Sequence, residues 1–137
     1  MRAKLPHLDS WNRARRRNAQ RYQEAFQASG LCDGSRPTVR LPLELPHRRH
    51  VYHQYVIRAQ RRDELRQFLQ RRQIGTGIYY PVPLHQQECF QDGATRGPEL
   101  PTSEEACREV LALPIYPELS EVQQAEVVQA IAEFYAI

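Results

Sequence analysis

Hydrophobic residues recur at helical spacing near both ends of the chain. Residues 8–29 predict an amphipathic helix. Gly30 follows it at the C′ position, where glycine commonly adopts a positive φ and ends a helix. Near the other end, Ser120 and Gln123 have the spacing of a capping box that opens a second amphipathic helix. The inward-facing residues of this last helix are predicted to be Val128, Ile131, Ala132 and Phe134.

The middle of the chain alternates between strand-like and helix-like patterns. Residues 51–58 predict a strand because they are dense in β-branched and aromatic side chains, and alternation places Val51, His53, Tyr55 and Ile57 on one face. Residues 60–73 predict a helix that ends before Gly75. Residues 77–80 then predict a short strand, which Pro81 would stop.

Between residues 85 and 115 the hydrophobic patterns that indicate helices and strands are weaker. Residues 85–91 predict one or two helical turns and residues 93–101 a loop. Thr102 and Glu105 predict a capping box for a helix that extends to about Leu111, followed by a strand over 111–115. This order of elements predicts the α/β (α+β) fold class, with a small mixed or antiparallel sheet covered by helices.

Composition narrows the class of protein. A chain of 137 residues has room for one domain, and no apolar run is long enough to span a membrane. The first residues lack the apolar stretch of a secretory signal. The cysteines are widely spaced and contain no CxxC pair, which favours a reduced, cytoplasmic protein; they are Cys32, Cys89 and Cys107.

Three stretches follow one another along the chain: HVYHQYVIR at 50–58 followed by RDEL, IGTGIYYPVPLH at 74–85, and LALPIYPEL at 111–119 before the closing helix. Together and in this order they resemble the C-terminal small domain of DegT/StrS-type sugar aminotransferases. Residues 1–30 resemble the long helix that leads into that domain, and residues 31–137 resemble the domain itself.

The resemblance implies a parent enzyme of fold type I that depends on pyridoxal phosphate (PLP). Such enzymes are homodimers that move an amino group between an amino acid and a keto-sugar nucleotide, in the biosynthesis of amino sugars and cell-surface polysaccharides. Lys4 is the only lysine, and its surroundings match the lead-in helix and not the cofactor lysine segment. We therefore expect the chain alone to bind no cofactor, to contain no catalytic residue, and to need a large PLP-binding domain that is missing or separately encoded.

The resemblance also implies a substrate-binding role for Tyr79, Tyr80 and His85. The equivalent segment of the family lies beside the sugar-nucleotide site, and a tyrosine offers both a flat apolar face and a hydroxyl group. In the alternative interpretation, one tyrosine belongs to the core and His85 caps the next turn.

Three other groups of residues suggest different chemistry. His47, His50 and His53 suggest a metal site, but strand geometry would separate them, so we expect no metal and a packed or hydrogen-bonded His53. Cys89 lies four residues after His85, a spacing that a Cys–His nucleophile could use. The arginines of the first helix suggest a small nucleic-acid-binding or protein-interaction module; they are Arg13, Arg15, Arg16, Arg17 and Arg21. Nucleic acid is the less favoured partner, because no aromatic residues are interleaved among these arginines.

Overall fold

The computed structural model describes residues 2–35, 37–90 and 99–136. Four α-helices surround a small sheet: α1 (Leu8–Ala28), α2 (Arg62–Arg71), α3 (Pro101–Glu109) and α4 (Glu121–Ala136). Short 3₁₀ turns lie at Leu5–His7, Leu84–Gln86 and Glu88–Phe90. Within the described part of the chain, no helix combines the length and the apolar character that crossing a membrane requires.

The sheet has three antiparallel strands in the order β1 (Val39–Arg40), β2 (Tyr55–Ala59) and β3 (Val110–Leu113). β2 is central, with Val39 opposite Ala59 on one side and Ile57 opposite Leu111 on the other. The predicted fold class, a small sheet with helices packed on it, is confirmed, and the sheet is antiparallel throughout.

The core lies between one face of the sheet and the helices α1, α2 and α4. Alternate residues of β2 are buried there, as are apolar side chains from each of the three helices. The largest fully buried side chains are Tyr22, Tyr55, Phe26, Ile57, Leu65, Leu69, Leu111, Ile131 and Val39. Arg58 faces the other way, where it forms ion pairs with Glu105 and Glu109 of α3.

Two predicted helix ends are confirmed in detail. The backbone N–H of Gln123 donates to Ser120 Oγ (3.2 Å), and that of Ser120 donates to Gln123 Oε1 (3.0 Å), which completes the capping box of α4. Gly30 follows α1 with a φ of 74°, the left-handed conformation that glycine adopts without a steric cost.

The strand predicted at 51–58 is shorter than expected. β2 begins only at Tyr55, because Tyr52 has a φ of 48° and so leaves the extended conformation. The expectation that His53 is a packed or hydrogen-bonded strand residue is wrong, since His53 is exposed and precedes the strand. Side chains therefore alternate between the two faces of the sheet from Tyr55 onward, but this alternation does not extend back to Val51.

The strand predicted at 77–80 is absent from the described structure. Only Gly77 pairs with the sheet, exchanging two backbone hydrogen bonds with Ala112 of β3 (3.0 and 2.7 Å). The chain leaves the sheet already at Ile78, before it reaches Pro81.

The bounds of α2 and α3 differ from those predicted. α2 ends before Gly75, as expected, but it is two residues shorter at each end than the predicted 60–73. It ends in a Schellman arrangement with Gln73 at φ 60°, where the backbone N–H groups of Gln73 and Ile74 donate to the carbonyls of Gln70 and Leu69. α3 begins at Pro101, and the capping box predicted at Thr102 does not form. The loop predicted at 93–101 falls mostly on residues 91–98, which lie outside the described residues.

Candidate functional site

The segment 77–85, which we call the tyrosine segment, is attached to the domain at both ends. At its start Gly77 bridges to Ala112 of β3, and at its end His85 contacts Glu104 of α3. Pro83, between these two points, is buried. The segment therefore lies along the β3 side of the sheet and is held by backbone and side-chain bonds to two neighbouring elements.

The two tyrosines of this segment project from the surface. Tyr79 is 48% exposed and Tyr80 is 70% exposed, and their rings meet edge to face with centroids 6.1 Å apart across a cis peptide bond. The Tyr79 ring lies so close to Gly77 that an added Cβ there would come within 2.8 Å of the ring. Glycine at 77 thus makes room for the ring. The interpretation that one of these tyrosines belongs to the core is wrong for both.

His85 is oriented by a carboxylate. Its Nε2 lies 3.1 Å from Oε1 of Glu104, and the two side chains are only 18% and 22% exposed. The same carboxylate oxygen accepts the backbone N–H of Leu100 (3.3 Å). The hydrogen bond to His85 is the main reason why the pKa of Glu104 is lowered.

Glu104 is the residue that the sequence analysis missed at this site. Placing the helix start at Thr102 drew attention to Glu105, whose side chain instead pairs with Arg58. The overlooked signal was Pro101, since proline is enriched at the first position of a helix. A helix that starts at Pro101 puts Glu104 at its N-terminal turn, within reach of the preceding segment.

Exposed apolar side chains accumulate around the tyrosine segment. Besides the two tyrosines, four large hydrophobic residues between 82 and 100 are each more than two-fifths exposed; they are Val82, Leu84, Phe90 and Leu100. Isolated exposed hydrophobic residues are normal, but this concentration in one stretch of the chain is typical of a surface that another polypeptide covers.

The histidines at 47, 50 and 53 have separate environments. All three are exposed, and Nδ1 of His50 accepts the backbone N–H of Tyr52 (2.9 Å). In residues 2–35, 37–90 and 99–136, no three side chains of the metal-ligating types come together.

Cys89 and His85 do not form a hydrogen-bonded pair. Cys89 is an exposed free thiol, and the described partner of His85 is Glu104. The histidine does have an orienting third group, but no thiol is positioned to use it as a base.

The arginines of α1 are largely engaged within the chain. Arg15 contacts Asn12, Arg16 contacts Glu44, and Arg21 contacts Glu121. Arg13 and Arg17 are exposed and line a cleft of about 580 Å³ with Arg16, Arg49, Gln20, Gln23, Glu44 and Tyr52.

A second cleft of about 570 Å³ holds charges of both signs, with Arg40 and Arg58 facing Glu105 and Glu109.

A PLP site would require a lysine amine in a partly enclosed cleft, because the cofactor is held as an imine. The only lysine, Lys4, is exposed in a turn before α1 and lines neither of the two clefts just described. Neither cleft therefore supplies the lysine of an imine, and we assign no step of a PLP reaction to the described residues.

Known proteins of one family are similar to this chain along almost its whole length. A sequence model of the DegT/DnrJ/EryC1/StrS aminotransferase family matches residues 1–132. A pleiotropic regulatory protein of Geobacillus stearothermophilus is 45% identical over 132 residues, which are 96% of this chain and 34% of that protein. A dTDP-3-amino-3,4,6-trideoxy-alpha-D-glucose transaminase of Streptomyces venezuelae is 39% identical over 134 residues, 98% of this chain and 34% of the enzyme.

The fold agrees with the sequence match. The crystal structure of Streptomyces venezuelae DesV in complex with a ketimine intermediate superposes with a TM-score of 0.85 at 38% identity, covering 97% of this chain and 34% of DesV. The chain thus spans about a third of the length of the relatives it matches, and the matched part is their C-terminal portion.

Proposed function

The chain belongs to the DegT/DnrJ/EryC1/StrS aminotransferase family, and we propose that it acts as the C-terminal small domain of an enzyme that aminates keto-sugar nucleotides in amino-sugar biosynthesis. The observation that carries this proposal is the pair of exposed tyrosines on a segment anchored at both ends. The Streptomyces venezuelae relative acts, by its name, on a dTDP-linked amino sugar.

Tyr79, Tyr80 and His85 have the chemistry to hold a sugar nucleotide. A sugar presents hydroxyl groups and weakly apolar C–H faces, which suit the hydroxyl and the flat ring face of a tyrosine. Because the segment is fixed at Gly77 and at His85, little backbone entropy remains to be lost when a ligand binds. In the proposed complex the two tyrosines contact the sugar nucleotide and His85 adds a polar contact beside them.

The proposal assigns catalysis to a PLP-binding large domain outside this chain, so that the chain alone is inactive and binds no PLP. Lys4 is exposed and lines neither of the two clefts described above, and the relatives are about three times as long as this chain. The exposed apolar residues near the tyrosine segment would then contact the large domain or the second subunit of a homodimer. The free thiols Cys32, Cys89 and Cys107 fit a reduced, cytoplasmic setting.

A chimera tests the proposed function directly. The C-terminal part of the Streptomyces venezuelae transaminase would be replaced by residues 1–132 of this chain, the range that the family shares. We expect the chimera to bind PLP and to convert it to pyridoxamine phosphate when the amino sugar of the relative is added. A folded chimera that binds PLP but shows no conversion would contradict the proposal.

Single variants of the chimera test the tyrosines. Tyr80→Ala should raise the KM for the sugar nucleotide roughly tenfold, the equivalent of about 1.4 kcal/mol of binding. Tyr116→Ala is the matched control, since Tyr116 is also exposed but lies outside the tyrosine segment. Equal KM values for these two variants would remove the assigned role of Tyr80.

A further inference from the structure

The contact between His85 and Glu104 determines which nitrogen of the imidazole carries the proton. An ionised carboxylate can only accept hydrogen bonds, so a nitrogen that lies 3.1 Å from it must carry the proton. Nε2 is that nitrogen. In a neutral imidazole Nδ1 is then the unprotonated nitrogen, and among the described residues it has no hydrogen-bond partner.

We propose that Glu104 is a positioning residue, which holds His85 as the Nε2–H tautomer and turns Nδ1 toward the ligand as a hydrogen-bond acceptor. The ligand group that this atom would take is a hydroxyl donor, such as a hydroxyl of a sugar. This second step rests on the proposed function, whereas the fixed tautomer does not depend on it.

Glu104 is itself held in place by its helix. Its Oε1 accepts the N–H of Leu100, which immediately precedes α3, and the carboxylate lies at the N-terminal turn, where the helix dipole favours negative charge. Partial burial of both side chains limits competition from water. The carboxylate is therefore ionised and oriented before any ligand arrives, which a positioning residue requires.

Histidine NMR on the 137-residue chain tests the tautomer. The chain would be labelled with ¹⁵N in its imidazole rings, and the His85 signals would be assigned by their loss in His85→Asn. At a pH above histidine protonation, we expect the His85 shifts to be those of a single Nε2–H tautomer. The exposed His53 gives the averaged shifts of a freely exchanging ring in the same spectrum.

Three variants identify the cause. Glu104→Ala should move the His85 shifts toward those of His53, because only the intrinsic tautomer preference of the ring then remains and both tautomers are populated. Glu104→Gln should keep the Nε2–H tautomer, because the amide oxygen still accepts a hydrogen bond. Glu105→Ala removes the neighbouring carboxylate, whose partner is Arg58, and should leave the His85 shifts unchanged. An Nδ1–H tautomer in the unmodified chain, or unchanged shifts in Glu104→Ala, would overturn the proposal.

The ligand step has its own readout. In the chimera described above, Glu104→Ala should raise the KM for the sugar nucleotide. Glu104→Gln should have a KM close to that of the unmodified chimera. If the chimera is inactive while the NMR result holds, the proposed function fails and the positioning role stands. If the chimera is active and Glu104→Ala leaves KM unchanged, Nδ1 of His85 does not bind the ligand.

Discussion

The rings of Tyr22 and Tyr55 pack in the core with their centroids 5.0 Å apart, and they join α1 to the central strand. Both rings are fully buried, and burial raises the pKa of both phenols. Their hydroxyl groups differ: Tyr22 donates to the carbonyl of Pro114 (3.1 Å), whereas the hydroxyl of Tyr55 has no partner among the described residues.

This difference predicts opposite results for two matched substitutions. Tyr22→Phe should lower the free energy of unfolding by about 1–2 kcal/mol, because it removes a hydrogen bond and leaves a carbonyl unpaired. Tyr55→Phe removes an unpaired hydroxyl and should be neutral or stabilising. Urea unfolding followed by circular dichroism measures both, and a larger loss for Tyr55→Phe than for Tyr22→Phe would contradict this assignment.

A second prediction concerns Glu109. Arg40 and Arg58 stand opposite each other on β1 and β2, and a single oxygen of Glu109 accepts from both guanidinium groups (2.6 and 2.7 Å). Glu109→Gln should destabilise the domain by on the order of 1 kcal/mol, because the like charges lose their shared counter-charge. The effect should shrink at high salt, which screens partly exposed charges.

Glu118→Gln is the control for this experiment. Glu118 is exposed and forms no ion pair within the described part of the chain. A loss of stability in Glu109→Gln that does not depend on salt, or that Glu118→Gln reproduces, would rule out the shared counter-charge as its cause.

A third prediction concerns acid stability. The hydrogen bond from Arg16 (2.6 Å) is the main reason why the pKa of Glu44 is lowered, and the backbone N–H of His50 adds to it. Since the pKa is lower in the folded state, this contribution to stability is present above the unfolded value of about 4.3 and is lost as the pH falls through the folded value.

The measurement is the midpoint of urea unfolding between neutral and acidic pH. Glu44→Gln should lower stability at neutral pH and make the decline in acid less steep, because the variant no longer takes up that proton. Glu126→Gln, at an exposed position of α4, is the matched control substitution. A slope in Glu44→Gln equal to that of the unmodified chain would contradict the role given to Glu44.

The exposed apolar surface near the tyrosine segment gives a fourth prediction. If another polypeptide normally covers it, the isolated chain should self-associate, so its Tm should depend on protein concentration. The double variant Tyr80→Gln and Leu84→Gln should reduce that dependence. Val122→Gln, which removes an exposed apolar side chain of α4, should not. A Tm that is the same at all concentrations would contradict the prediction.

The sequence predicts local structure correctly where a single residue determines the backbone conformation. Gly30 ends α1 and Ser120 caps α4 as predicted, because each position depends on a few neighbouring atoms. The strand at 51–58 was extended too far because its composition continues past the point where Tyr52 turns into a positive φ. Propensity cannot detect that turn, since tertiary contacts determine it.

The candidate site was only partly predictable for a related reason. The residues Tyr79, Tyr80 and His85 could be named from their motif, but Glu104 is distant from His85 in sequence and comes close only because α3 packs beside the tyrosine segment. The helical pattern of residues 8–29 likewise does not specify that Tyr22 packs on Tyr55, because that contact joins two segments that are distant in sequence.

Borohydride reduction of the purified chain with PLP, followed by mass spectrometry, tests most directly whether the chain forms a PLP site of its own or depends on one that is built elsewhere. We predict little or no labelling, confined to Lys4 and the N-terminal amine and unaffected by a sugar nucleotide, because Lys4 is exposed. Stoichiometric labelling of Lys4 that a sugar nucleotide prevents would mean that this chain forms its own PLP site, and would contradict the proposed function.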